Sequence, residues 1–144
     1  MRPRLIPIKE QITNDPVDLL ARTIWGEARG EPVRGMEAVA AVVMNRVHRP
    51  GWWGRTVASV CTKAYQFSCW NEDDPNRAKL LAVTDADPIF AIAKRIARRA
   101  VAGTLDDPTG GATHYHSVDV HPRWAAGKTP HARIGRHLFY ADID

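Results

Sequence analysis

The sequence predicts an α+β domain that is mainly helical, and three observations predict it. Apolar residues recur at helical spacing from Val17 as far as Val101. Three stretches open on an Asp-Pro pair: Asp15-Pro16, Asp74-Pro75 and Asp87-Pro88. In each pair the aspartate suits the N-cap, and the proline suits the first helical position, whose N–H has no intrahelical partner. From Thr104 onward helical periodicity is lost, and Gly, Pro, His and aromatic residues predict loops with one or two short strands.

Taken in order, the first helix follows Asn14 or Asp15 as its cap. Leu20, Ile24 and Glu27 then fall on one stripe, so a carboxylate shares a face with buried apolar residues. Gly26 and Gly30 on either side of it allow other backbone to approach closely. A second helix is expected from about Pro32 to His48, with Met36, Val39, Ala40, Val43 and Val47 inward and Arg34, Glu37 and Arg46 off that stripe. Arg49-Pro50-Gly51 stops it. Residues 55–61 suggest a short helix, and the aromatic-rich Tyr65–Trp70 segment suits a strand or hairpin arm. Asp74-Pro75 opens a helix carrying Leu80, Leu81 and Val83. Asp87-Pro88 opens the last one, with Ile89, Phe90, Ala93, Ile96, Ala97 and Val101 inward and Lys94, Arg95, Arg98 and Arg99 on the solvated face.

At 144 residues and 44% hydrophobic, the chain fits one domain spanning 1–144, with its core at about 15–140 and no low-complexity tract. The net charge of +4 favours an anionic partner such as an acidic wall polymer. The arginines are scattered over a helix face rather than blocked, which argues against nucleic acid. No stretch reaches the roughly 18 apolar residues that a membrane span needs. Met1–Glu10 lacks the apolar core of a signal peptide, so the protein is expected to be made in the cytoplasm. Cys61 and Cys69 read either as a staple across Tyr65–Ser68 or as two buried thiols, and the expectation leans to the disulfide.

Glu27 has two readings. It is a helix-end carboxylate paired with Arg22 or Arg29, or it is a general acid whose apolar surroundings disfavour its charged form. Four segments bear on that choice: Trp25-Gly26-Glu27-Ala28-Arg29-Gly30-Glu31, Gln66-Phe67-Ser68-Cys69-Trp70, Gly110-Gly111-Ala112-Thr113-His114-Tyr115-His116, and Gly135-Arg136-His137-Leu138-Phe139-Tyr140. In this order and at these separations they resemble the SleB-type cell-wall hydrolase family, which includes spore-cortex-lytic enzymes and phage endolysins. The resemblance covers roughly residues 17–140.

That resemblance implies a lysozyme-like domain with a small β-hairpin beside a catalytic cleft. It implies cleavage of the bond between N-acetylmuramic acid and N-acetylglucosamine in peptidoglycan. Glu27 matches the catalytic acid/base, Gln66, Phe67 and Ser68 match the hairpin side of the cleft, and His114, Tyr115 and His116 match a substrate-binding segment with Tyr115 opposite Glu27. His116 departs from the pattern, since many relatives carry Tyr there. A lytic transglycosylase acting as an endolysin, without metal or cofactor and as a monomer, is the expectation. The alternatives are a muramidase, for which Glu31, Glu72, Asp73 or Asp74 would supply the second carboxylate, and a zinc amidase using the cluster His114, His116, His121, His131 and His137. Against zinc stands the absence of a His-Glu-x-x-His helix. Of Trp52 and Trp53, one is expected to anchor its loop and the other to be available to a sugar.

Overall fold

The computed structural model describes residues 15–63 and 66–143. Among the described residues five α-helices precede a small sheet: α1 (Pro16–Ala28), α2 (Val33–His48), α3 (Val57–Thr62), α4 (Pro75–Ala82) and α5 (Pro88–Val101). The caps are those the sequence supplies. Asp15 accepts from the Val17 N–H at 3.1 Å, Asp74 from Asn76 at 2.8 Å, and Asp87 from Ile89 and Phe90 at 2.8 and 3.0 Å. Each satisfies N–H groups that a helix start leaves open. The alternative cap Asn14 lies outside the described residues. Thr56 and Ser59 cap α3 reciprocally, an arrangement that fixes so short a helix where propensity alone would not.

Helix α2 is the centre of the molecule. Ala38 to Val43 are all buried, because one side of the helix packs on α1 and α5 and the other meets the sheet. The first side joins Leu20, Ile24, Met36, Val39, Val43, Phe67, Leu80 and Phe90 in one apolar cluster. On the second side Ala38 and Val42 pack with Ala112, Ile134 and Phe139. Arg46 was expected off the buried stripe, yet it is only 6% exposed. The reason is geometric: it lies one turn beyond Val43 and two beyond Val39, which returns it to the same face.

The sheet has three antiparallel strands, β1 (His114–Ser117), β2 (Ala132–Ile134) and β3 (His137–Tyr140), in the order β1-β3-β2. One or two strands were expected from the sequence. The hairpin β2–β3 turns through Gly135 and Arg136, and Gly135 takes a φ of +58° that favours glycine. The Tyr65–Trp70 segment is not the expected hairpin arm. Ser68–Trp70 forms a 3-10 turn, and Tyr65 lies outside the described residues. The turn is fixed by what its side chains bury: Phe67 is 2% and Cys69 1% exposed, both in the main cluster. Ile89, expected inward on α5, lies at the helix start and is exposed. Among the described residues no helix is long and apolar enough to cross a membrane.

Candidate active site

Glu27 stands in the last turn of α1, half-buried, below the apolar Leu20 and Ile24. Neither arginine offered by the sequence pairs with it. Arg22 bonds Asp18 at 3.0 Å and reaches the carbonyls of Leu80 and Val83 at 2.5 and 3.1 Å. Arg29 lies over the Trp25 ring and donates to Asn76 at 2.6 Å. The helix-end ion pair is therefore absent, and Glu27 is left to partners from elsewhere in the chain.

Those partners are Tyr115 and Cys69. The Tyr115 hydroxyl donates to Glu27 Oε1 at 2.5 Å across 88 residues of sequence. Burial, the Glu27 charge and this hydrogen bond raise the phenol well above its ordinary range, so it stays a donor. Cys69 reaches Glu27 because Gly26 has no side chain: a Cβ there would come within 2.9 Å of both Cys69 Cβ and Sγ. Burial, then the charge of Glu27 and a hydrogen bond to it, raise the thiol strongly. Cys61 is buried too, faces Thr23, and is pushed up to about 12, chiefly by burial. Both cysteines are free thiols, which corrects the disulfide expectation: Cys61 is committed to Thr23 and Cys69 to Glu27.

Arg46 completes the floor of the site and was not singled out in the sequence. Its Nε donates to the Thr113 carbonyl at 2.7 Å, and its guanidinium lies over the Trp53 and Phe67 rings. Burial lowers it to about 10, opposed by Tyr115, Cys61 and Glu27, which favour the cation. Its recurrence at helical spacing after Val39 and Val43 was the available signal.

The remaining predicted residues separate. Alternation along β1 puts Tyr115 on one face with His137 and Phe139, at ring distances of 4.9 and 5.5 Å, and turns His114 and His116 to the other. His114 is buried between Trp53 and Trp124, and burial, then Arg46, lowers it to about 4. His116 bonds the Tyr140 hydroxyl at 2.9 Å and stacks on its ring. Phe67 presents no face to a sugar, since it sits in the core. Gln66 donates to the carbonyls of Val60 and Trp53 at 2.6 and 3.2 Å, which fixes the loop ahead of the 3-10 turn. Ser68, by contrast, is exposed beside Cys69. Trp53 is the anchor of its loop, donating to the carbonyls of Arg46 and Arg49 at 2.9 and 3.1 Å, while Trp52 is 59% exposed.

The candidates for a second carboxylate are occupied or elsewhere. Glu31 Oε1 accepts from the Arg136 N–H at 2.8 Å and lies 3.5 Å from His137 Nδ1, so it holds the β2–β3 turn. Burial lowers the His137 pKa, while the charges of Glu31 and Glu27 oppose the shift. Asp74 is a helix cap, and Glu72 and Asp73 line a different pocket of about 530 Å³ with Lys63, Trp70 and Arg77. Histidines do not converge either. His121 and His131 are exposed, His131 lies 3.5 Å from Asp142, and His137 is across the sheet from His114 and His116. Among the described residues no three His, Cys, Asp or Glu side chains group as metal ligands, which leaves the zinc alternative without a ligand set.

In a mainly helical α+β domain, one carboxylate is held by a phenol where the helices meet a small sheet, and two of the four sequence segments supply that pair. Residues 30–140 match the cell wall hydrolase family, and the chain belongs to that family. The match opens at residue 30, past Glu27. The chain is similar to the spore cortex-lytic enzyme of Halalkalibacterium halodurans, 35% identical over 140 residues covering 90% of this chain. It is likewise similar to that of Bacillus subtilis, 33% identical over 130 residues and 88% of the chain. It spans 38% of the length of each of these relatives. Its fold is similar to the catalytic domain of the Bacillus cereus SleB protein (TM-score 0.68, 28% identity, 96% of this chain and 98% of that one). The catalytic domain of the germination-specific lytic transglycosylase SleB from Bacillus anthracis gives a TM-score of 0.69 at 28% identity, over 94% of this chain and 99% of that one.

Proposed function

We propose that this protein cleaves the MurNAc–GlcNAc bond of peptidoglycan as a lytic transglycosylase, with Glu27 as its lone acid and base. The observation that carries the proposal is the Tyr115–Glu27 hydrogen bond at 2.5 Å, with Glu31 turned to the β2–β3 turn instead. Tyr115 occupies Oε1, which leaves Oε2 to carry the proton. Glu27 gives that proton to the glycosidic oxygen as the C1–O bond breaks, and the departing N-acetylglucosamine leaves as an alcohol. The muramic C6 hydroxyl then forms a bond to C1 of the oxocarbenium-like sugar, and its proton returns to Glu27. Atoms balance without water, and the product is 1,6-anhydro-MurNAc. Tyr115 and the buried Arg46 stabilise the carboxylate that forms midway, in a site already organised for it. Ser68 is the polar group of the 3-10 turn placed to meet the sugar.

The relatives support the reading, because one is a lytic transglycosylase and others are spore cortex-lytic enzymes. We place the protein as an endolysin-type lysis enzyme, supported by its net charge of +4 against a polyanionic wall. Digestion of purified vegetative walls and of purified spore cortex tests that placement. Lysis of vegetative walls is expected, and activity confined to cortex overturns it. For the chemistry, mass spectrometry of the digest decides: anhydro ends are expected, and reducing muramic ends point to a muramidase.

A further inference from the structure

We propose that the His114–His116 face of β1, with Trp52, Trp53 and Trp124, is a second glycan-binding surface, distinct from the Glu27 cleft on the other face of the same strand. The proposal rests on the peptidoglycan reading. Its foundation is a continuous run of rings. Trp52 and Trp53 lie 5.6 Å apart, Trp53 and His114 5.8 Å, and His114 and Trp124 5.1 Å. Trp124 continues to His116 at 5.6 Å and to Tyr140 at 5.1 Å.

Core packing accounts for part of this run but not for its end. Trp53 and His114 are buried, whereas Trp52 is 59% exposed and Trp124 half-buried. The two indole hydrogen bonds of Trp53 fix the loop whose neighbouring residue, Trp52, stands at the surface against the Trp53 ring. Rigid aromatic rings with polar edges suit sugars, whose C–H faces are apolar and whose rims carry hydroxyls. His116 and Tyr140 bond each other, and His116 Nδ1 meets the Ser117 carbonyl, so they brace the run from within and leave the sugar contact to Trp52 and Trp124. The charge is complementary too. Arg55 lies two residues beyond Trp53 and Arg123 precedes Trp124, and among the described residues neither has a carboxylate partner, while Arg49 is engaged by the Gly111 carbonyl. A polymer carrying carboxylates on its muramic units fits such a border. Because β1 carries Tyr115 on its opposite face, a strand held here is kept beside the reacting centre.

Binding is best read in the Glu27→Gln background, where turnover does not intrude. The probes are long, peptide-free glycan strands prepared from peptidoglycan, followed by tryptophan fluorescence, with duplex DNA as the competing polyanion. Trp52→Ala is expected to weaken glycan binding roughly tenfold, and Trp52→Phe to recover most of it. Arg55→Glu is expected to weaken binding to the intact anionic wall more at low salt than at high. Affinity unchanged by Trp52→Ala overturns the proposal, as does a loss confined to DNA. The catalytic reading fails differently: it falls if Glu27→Gln alone still cleaves the wall at the wild-type rate, whatever the affinity of either variant.

Discussion

Glu27 and Glu31 lie in one motif, four residues apart, and do opposite work. Glu27 is inside α1 and is met from across the chain by Tyr115 and Cys69. Glu31 is past the helix end, and its carboxylate receives the Arg136 N–H and presses against Gly135, where a Cβ would fall 2.9 Å from Oε1. One carboxylate faces a hydroxyl in a cleft, and the other fastens a hairpin to the helical layer. The comparison teaches that residue type and local spacing select candidates, while the long-range partner decides the role.

The largest effect expected is on Glu27. Glu27→Gln keeps the side-chain shape and its acceptor toward Tyr115 but removes the transferable proton. Wall cleavage is expected to fall by about 10²–10⁴-fold with an unchanged melting curve. Comparable activity in that variant, measured by turbidity loss of purified walls, would move the chemistry elsewhere. Tyr115→Phe comes next, with an expected loss in kcat of about a hundredfold from one missing donor at the reacting carboxylate. A change in KM alone would instead make Tyr115 a substrate contact.

Stability separates the second glutamate. Glu31→Ala leaves the Arg136 N–H without its acceptor, and Gly135→Ala strains a left-handed turn while crowding Glu31. Each is expected to cost about 1–3 kcal/mol in denaturant unfolding while the residual folded protein keeps anhydro-product chemistry. If Glu31→Ala abolishes cleavage without loss of stability, the two glutamates share the chemistry and the lone-acid account fails.

How much of this was legible depended on the range of the interaction that decides each element. The Asp-Pro caps and the Leu20–Ile24–Glu27 stripe are local, and α1, α4 and α5 start where they indicate. Tyr115 could be placed opposite Glu27 only through the segment resemblance, since nothing nearby in sequence connects them. Gln66-Phe67-Ser68 misled because a short aromatic run reads alike as a strand and as a turn whose Phe67 and Cys69 plug a core. Arg46 was missed for a related reason: a charged residue on a buried helical stripe is judged by its charge before its position. The histidines read as a cluster along the chain, but strand alternation divides them between two faces.

The smallest effect is the pH dependence carried by His114. Its folded value near 4 lies below the ordinary unfolded value of about 6.5. Above pH 6.5 both states are neutral and the group contributes nothing. As pH falls from 6.5 toward 4 the unfolded chain takes up the proton first, so stability declines across that window and then levels. His137, depressed in the same direction by burial, adds to the slope. Melting temperatures taken through this range are expected to fall, and His114→Gln to flatten the slope. An unchanged slope in that variant would place the acid sensitivity in the carboxylates.

The central claim, that one glutamate acts as acid and then base, is tested most directly by the mass of the sugar left on the muramic side of the cut. Purified walls digested with this protein and analysed without reduction are predicted to yield muropeptides one water lighter than their reducing counterparts, with no incorporation of label from ¹⁸O-water. Products of full mass that carry the label at C1 would contradict the account and require a second group to activate water.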